Sequence, residues 1–535
     1  MRRLLLALTG LVLALAASAL AGPRAPAPAP APAKPAAVTA TTFVVSGRGW
    51  GHGVGMSQYG AFGFANDGWT YDQILGHFYV GAVLGPAPVA RVRVLVGEAN
   101  GAVKLRSTVP FRVRDVFGTT YPLAAGELVL GPKLWVTVNG APTELAGPIL
   151  FLPGTEPLQL DRPYRGQIEV GVTGQKLNVV NVVGLELYLQ GVVAQEMPSA
   201  WPDEALKAQA VAARSYALAH RLTGKEFDLY ADVRSQVYGG IAGESPRTTA
   251  AVQATKGEVL LWEGKPIDAL FHSTSGGKTL DAVEVFGKPV PYLVSVDDPH
   301  SDLSPVNRWG PTPVPETTVR KGLKLGAPLT ALKLTRGASG RVLNVNVTTT
   351  TGTSKISGAT LRAAAGLRST WITELATLSL TRPGGPALYG RQLTVTGKAA
   401  GVKGAVLSQQ IDGVWTQVAG PGAVLAVKVK LLAPASFRIS AGKLAGAVLK
   451  VPVAPVVTAR ADATSTVSGA VRPTAAGTTV ELQLDDGSGW STTAQTTTGP
   501  NGEYTISPPA PGLYRVRVAP AQGFAEGLSG QIELR

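Results

Sequence analysis

The chain has 535 residues, 45% of them hydrophobic and 16% charged, enough apolar content for buried cores and a length that predicts three or four domains. Gly (64) and Pro (40) together make about 19%, below the roughly 25–30% of low-complexity chains, which excludes a wholly disordered protein. Cysteine is absent, which excludes disulfides, thiolate-bound zinc, iron–sulfur clusters and thiol nucleophiles; the formal charge of +14 has no Lys/Arg run of five or more, so it is a diffuse field that serves solubility and weak adhesion to anionic polymers or headgroups, and no nucleic acid is expected as a partner.

Arg2 and Arg3 precede the apolar run Leu4–Leu20 and the small-x-small site Ala19-Leu20-Ala21. Residues 1–21 are therefore expected to be a secretory signal peptide, with a retained membrane anchor as the alternative. No later segment is apolar and long enough to span a bilayer, so the expected location is secreted or in the cell envelope, with no membrane span after cleavage. Residues 22–40 are dominated by alternating Pro and Ala, a semi-rigid extended spacer.

Phe43–Ser46 reads as a strand, followed by a Gly-rich and then helical stretch. Thr70-Tyr71-Asp72-Gln73 is a capping box that opens a helix to about Phe78. Val89–Gly97, Ala102–Leu105, Phe111–Asp115, Leu134–Val138, Ile168–Val172 and Leu177–Val183 carry strand patterns, the last apolar enough to be central. Trp201-Pro202-Asp203-Glu204 opens the clearest helix, Ala- and Leu-rich, with Gly224 available to close its far end. Residues 381–455 and 456–535 are short β segments split by Gly/Pro/Asn turns, with Asn501-Gly502 a hairpin signal, and are expected to form two sandwich-like modules.

Three stretches carry a resemblance: LELYLQGVVAQEMPSAWPDEALKAQAVAARSYAL (185–218), SQVYGG (235–240) with FHSTSGGKT (271–279) and PYLVSVDDP (291–299), and GRGWGHGVGMSQYGA (47–61). With SGRV (339–342) and GLRSTW (366–371), the chain resembles the stage II sporulation protein D / amidase enhancer LytB family over about residues 41–378. The resemblance implies a peptidoglycan lytic transglycosylase that acts on denuded glycan strands, leaves 1,6-anhydro ends, and uses the glutamate of Glu-Met-Pro, here Glu196. It offers a cell-wall amidase as a candidate partner and implies no cofactor. Two departures stand out. The GWGHGVGMSQYGA segment precedes the other motifs instead of following GLRSTW, as in a circular permutation, so Ile372–Leu380 and Thr41–Ser46 are expected to lie side by side. Some relatives bind zinc through Cys and His near FHST; with no Cys, and Ser275 and Lys278 at those places, no structural zinc is expected.

The residues themselves point the same way. Glycosidic cleavage ordinarily takes two carboxylates, but one suffices when the C6 hydroxyl of muramic acid attacks its own C1. Apolar neighbours of Glu196 would desolvate it and hold it protonated as an acid; a helix-capping or ion-paired acid is the structural alternative. The resemblance makes Lys207, Gln209 and Arg214 candidate substrate contacts, against structural readings of Arg214 as an ion-pair partner and Gln209 as a buried hydrogen-bonder. Gln236 and Tyr238 offer a hydrogen bond and a stacking face for sugar, against a structural reading of Tyr238 as a strand-to-turn residue with Gly239-Gly240 as the bend. His272, Ser273 and Ser275 border a Gly-Gly turn where main-chain N–H groups line a cleft, and no G-x-S-x-G elbow supports a serine nucleophile. His52 and Gln58 sit on the tight Gly-rich loop, which the resemblance sets against the cleft as candidate substrate contacts, with a hydrogen-bonded scaffold histidine as the alternative for His52; the loop lacks the Lys-Ser/Thr ending of a phosphate loop. The expected fold is an α+β catalytic body at 41–380, antiparallel strands around a long central helix, followed by the all-β modules. A non-catalytic, wall-binding amidase enhancer is the runner-up, and a purely structural envelope protein the third reading.

Overall fold

A computed structural model describes residues 35–462, 466–521 and 523–534. The expected signal peptide and most of the Pro/Ala spacer lie outside these residues. The Val38–Arg48 strand buries Phe43, Val44 and Val45 in succession because it runs through the middle of a five-stranded antiparallel sheet. Alternate side chains serve two cores: Val44 joins one, Phe43 and Val45 the other. Its partners are the Arg308–Pro315 and Trp371–Arg382 strands. The second pairing sets Thr41 against Ser379 and Gly47 against Ile372, the adjacency expected from the transposed motif.

Beyond Trp371–Arg382 the sheet continues into Gln392–Ala400 and Val424–Lys430. It therefore crosses the boundary expected at 380/381. The reason is burial: Leu378 and Leu380 share one core with Val395, Ala399 and Leu425 of the added strands. The last segment forms its own two-sheet core around Val467, Leu482, Tyr504 and Tyr514. Asn501-Gly502 does not close a hairpin there; Trp490–Thr497 pairs with Thr479–Asp485, whereas Glu503–Ile506 pairs with Val467–Arg472, so the chain changes sheet at that turn.

The helices pack beside a seven-stranded sheet, in which Lys176–Gly184 lies between Arg91–Asn100 and Gln167–Thr173. Helix α1 is Gln58–Asn66 and α2 is Tyr71–Phe78, the latter opened as expected by the Thr70 N–H donating to Gln73 Oε1 at 3.0 Å. Lys176–Gly184 runs straight into a helix that the residues did not announce, α3 (Leu185–Glu196). Helix α4 spans Asp203–Ala219 and closes five residues before Gly224. Its alanines are buried on more than one side: Ala210, Ala213 and Ala217 join the sheet core, while Ala205, Ala208 and Ala212 join the core beneath α1 and α2. Small side chains let neighbours approach α4 from both directions.

Candidate active site

Glu196 is the last residue of α3. Met197 takes extended backbone (φ −135°, ψ 136°) and Pro198 bars continuation of the helix. The carboxyl is half-buried, and burial raises its pKa above 4.5, opposed in smaller part by the Val237 backbone. The negative end of the helix dipole acts in the same direction as burial. Val192, Val193 and Met197 are buried beside it in the chain. The arrangement gives an acid that holds its proton to higher pH than usual while still reaching the surface.

Gln58 closes one flank of this turn. Ser57 caps α1 by accepting the Gly60 N–H at 3.1 Å, which makes Gln58 the first helical residue. Its Nε2 donates to the Glu196 carbonyl at 2.9 Å and to Gln209 Oε1 at 3.3 Å. Gln209 is fully buried on α4, and its Nε2 has no partner among the described residues.

The Gly-rich loop brings the other motif in. Gly51 and Gly55 have φ of +117° and +69°. A Cβ at Gly51 would lie 2.6 Å from His272 Cβ, and one at Gly55 would collide with the Leu270 carbonyl. Without those carbons the loop lies directly on residues 270–274: Met56 N–H donates to Leu270 O and Tyr59 N–H to Ser273 O, both at 3.0 Å. His52 is half-buried, its Nδ1 accepts the Val54 N–H at 3.1 Å, and burial lowers its pKa to about 4. His272 is buried with Nδ1 3.2 Å from Val54 O, and burial followed by the neighbouring His52 holds its pKa well below 6.5. Both imidazoles are neutral at pH 7, with ring centroids 5.4 Å apart. Ser273 is half-buried under Tyr59. Ser275 is fully buried, donating to Asp298 Oδ2 at 2.6 Å and standing 2.8 Å from Ser301 Oγ. It holds a turn together and is not open to substrate.

Four further candidates are held by their surroundings. Arg214 is fully buried; its Nε and Nη2 donate to the two Glu186 carboxylate oxygens at 3.1 and 2.6 Å. The ion-pair reading of Arg214 is the one its position fits. Gln236 is buried between Tyr188 Oη, which donates to it at 3.2 Å, and the Ala213 carbonyl, which it reaches at 3.3 Å. Tyr238 is buried too: its hydroxyl donates to Asn181 Oδ1 at 2.9 Å, and its ring lies so close to Gly191 that a Cβ there would be 2.7 Å away. Only 4% of it is exposed, where it lines a cavity with Val237. What this segment brings to the site is the Val237 backbone beside Glu196. Lys207 is half-buried and paired with Glu204 Oε1 at 2.6 Å, while Glu204 Oε2 accepts the Tyr71 N–H at 2.7 Å. Glu204 ties α4 to α2, and the lysine holds Glu204.

Other residues emerge only in three dimensions. Tyr216 is half-buried, and its pKa is raised by burial and then by the charges of Asp268 and Glu196. His220 stacks on Tyr216 at 4.1 Å and lies 2.7 Å from Asp268 Oδ1. A second carboxylate thus shares the Tyr216 surroundings with Glu196. The signal was present as spacing: Gln209, Tyr216 and His220 are seven and four residues apart, one face of α4. Trp201 stands 4.8 Å from the Tyr59 ring and 4.9 Å from Phe62, all three half-buried, an apolar platform five residues beyond Glu196. A cavity of about 420 Å³ with Asp161, Arg162, Asp232 and Arg234 in its wall shares Val237 with the acid. Among the described residues no group of three His, Asp or Glu side chains is placed to hold a metal.

The Stage II sporulation protein (SpoIID) family model matches residues 173–262. An uncharacterized protein of Brachyspira hyodysenteriae is 42% identical over 136 residues, 25% of this chain and 37% of its own length. Stage II sporulation protein D of Bacillus amyloliquefaciens is 31% identical over 252 residues, 43% of this chain and 71% of that protein. The Amidase enhancer of Bacillus subtilis is 43% identical over 111 residues, 21% of this chain and 15% of that protein. The chain thus spans well under half of the first and third relatives. A solved cytokine receptor complex aligns with 29% of this chain and 93% of its own at 16% identity and a TM-score of 0.18, too low to carry an argument. With the motifs around Glu196 in place and a match across most of the Bacillus amyloliquefaciens protein, the chain belongs to the stage II sporulation protein D / amidase enhancer (SpoIID/LytB) family.

Proposed function

We propose that this chain is a lytic transglycosylase of the cell envelope, cleaving the bond between N-acetylmuramic acid and N-acetylglucosamine in denuded glycan strands. Protonated Glu196 gives its proton to the glycosidic oxygen as the C1–O bond breaks. The resulting carboxylate then takes the proton of the C6 hydroxyl while O6 bonds to C1, closing the 1,6-anhydro ring and restoring the acid. The observation that carries this reading is a half-buried carboxyl with a raised pKa at the end of α3, the state a general acid needs near neutrality. Trp201, Tyr59 and Phe62 offer sugar rings an apolar surface beside it.

The test is digestion of purified denuded strands by the chain and by Glu196→Gln, with new 1,6-anhydromuramic ends read by mass spectrometry. Equal product from both proteins would remove Glu196 from the chemistry. The name of the Bacillus subtilis relative supports a second reading, in which the chain binds the wall and stimulates a separate amidase. That reading expects no anhydro ends from either protein and stimulation of a cell-wall amidase that survives Glu196→Gln.

A further inference from the structure

Positive charge is concentrated away from the cleft. Residues 383–455 contain eight Lys or Arg and one acid, Asp412, a net +7 that is half of the chain's +14 in about a seventh of its length. Residues 456–535 contain five Arg against seven acids. Among the described residues, every ion pair lies in the body or in the second module, and none engages a cation of residues 383–455.

Strand register decides where three of these lysines stand. Pairing sets Thr394 against Lys428 and Lys398 against Val424 across the Gln392–Ala400 and Val424–Lys430 strands. With a period of two, Thr394, Thr396, Lys398, Lys428 and Lys430 all face the same way, and all are exposed. Val395, Ala399 and Leu425 point to the opposite side, into the core. On the next strand Ser379 lies against Lys398 and Thr381 against Thr396. The result is an open sheet face of hydroxyls and ammonium groups with no carboxylate among the positions paired across these three strands, the acid Glu374 lying before the first of them, Thr377; its lysines are strung over roughly 20 Å along the strand direction.

We propose that this face binds the glycan strand itself through its lactyl carboxylates. In a strand bearing stem peptides each lactyl group is an amide and uncharged; once the peptides are removed, every muramic residue carries a free carboxylate. An acid-free array of lysines favours the stripped strand, while the threonine and serine hydroxyls can meet sugar hydroxyls. The inference rests on the reading of denuded glycan as substrate and adds a second contact for it, outside the cleft. The sheet is continuous with Val38–Arg48, which leads into the loop carrying His52 and on to Gln58 at the start of α1, so a strand held here and the cleft share one framework.

The test uses the full chain carrying Glu196→Gln, so that binding is read without cleavage. Co-sedimentation is measured with denuded strands, with the same strands after coupling of their carboxylates to methylamine, and with phosphatidylglycerol vesicles. Combined Lys398→Gln, Lys428→Gln and Lys430→Gln is expected to weaken binding to denuded strands about tenfold at 0.15 M salt, since exposed charge pairs are individually weak and screened. Lys403→Gln, Lys443→Gln and Lys450→Gln make the same change of charge at turns or on the other sheet, and are expected to weaken it less than twofold. Surface substitutions of this kind leave the fold intact. Equal losses from the two sets, no loss from the first, undiminished binding to capped strands, or tighter lysine-dependent binding to vesicles would each overturn the proposal. Absence of anhydro products from the unsubstituted chain would instead count against the cleavage reading alone.

Discussion

Arg214→Lys separates a structural arginine from a substrate contact. Four hydrogen bonds converge on the guanidinium: two to Glu186, one from Nη1 to the Glu258 carbonyl at 2.9 Å and one from Nη2 to the Val252 carbonyl at 3.2 Å. A lysine keeps the charge but has three donors on one nitrogen and cannot reproduce the planar fork. Glu186, whose side chain is only 16% exposed, then keeps the Gly257 N–H at 3.1 Å and a poorer cation. Removing one partner of a buried pair costs ~3–5 kcal/mol; because the charge survives, a loss of about 2–3 kcal/mol is expected. For a body of this size that lowers the melting temperature by roughly 4–10 °C. Calorimetry gives the shift, and strand binding is measured well below both transitions. Binding per folded molecule should be unchanged, because no atom of Arg214 reaches the surface. A variant that melts within about a degree of the parent yet loses strand binding would refute the reasoning.

Glu196 makes a prediction with a definite sign. Its raised pKa means that the folded state holds the proton to higher pH than the unfolded chain, so stability falls as pH rises from 4.5 through the folded value. Glu196→Gln should therefore melt higher than the parent at pH 7 and show no such gain at pH 4, as scanning calorimetry at the two pH values would reveal. His52 acts oppositely: with a pKa lowered to about 4, it is neutral when folded while the unfolded chain takes up a proton, so stability is lost on acidification from pH 6.5 toward 4. The loss amounts to at most ~3 kcal/mol, and a His52→Gln protein should show a flatter acid limb in melts across pH 4–7. Gln58→Ala leaves the Glu196 carbonyl and Gln209 Oε1 without their shared donor; a stability loss of about 1–3 kcal/mol should accompany slower release of anhydro ends in the glycan digest. Gln58→Glu should be worse, since a carboxylate has no proton for either acceptor.

Local chemistry was readable where it acts over a few residues. The start of α4 follows from Pro202, Asp203 and Glu204, and that of α2 from Thr70 and Gln73. The pairing of Thr41 with Ser379 was accessible because a transposed motif requires the old ends to meet. Helix α3 was not, for a physical reason: Tyr188, Leu189, Gln190, Gly191, Val192 and Val193 are all buried, so no polar face remains to mark a period. Tyr238 and Arg214 have the composition of sugar-binding residues, and only their surroundings, Gly191 in one case and Glu186 in the other, withdraw them from the surface. The extension of the body's sheet into Gln392–Ala400 was equally hidden, because pairing partners chosen by burial leave no mark in either strand alone.

The Val38–Arg48 strand is 11 residues long and bonded to a neighbour on each edge, which makes it a strut of about 35 Å that ends at the Gly-rich loop. Tension applied upstream of Val38 would run along its axis and load the flanking hydrogen bonds in shear, all together, instead of peeling them one at a time. Pulling on this protein from its amino end should therefore leave the geometry around Gln58 undisturbed until the whole sheet gives way.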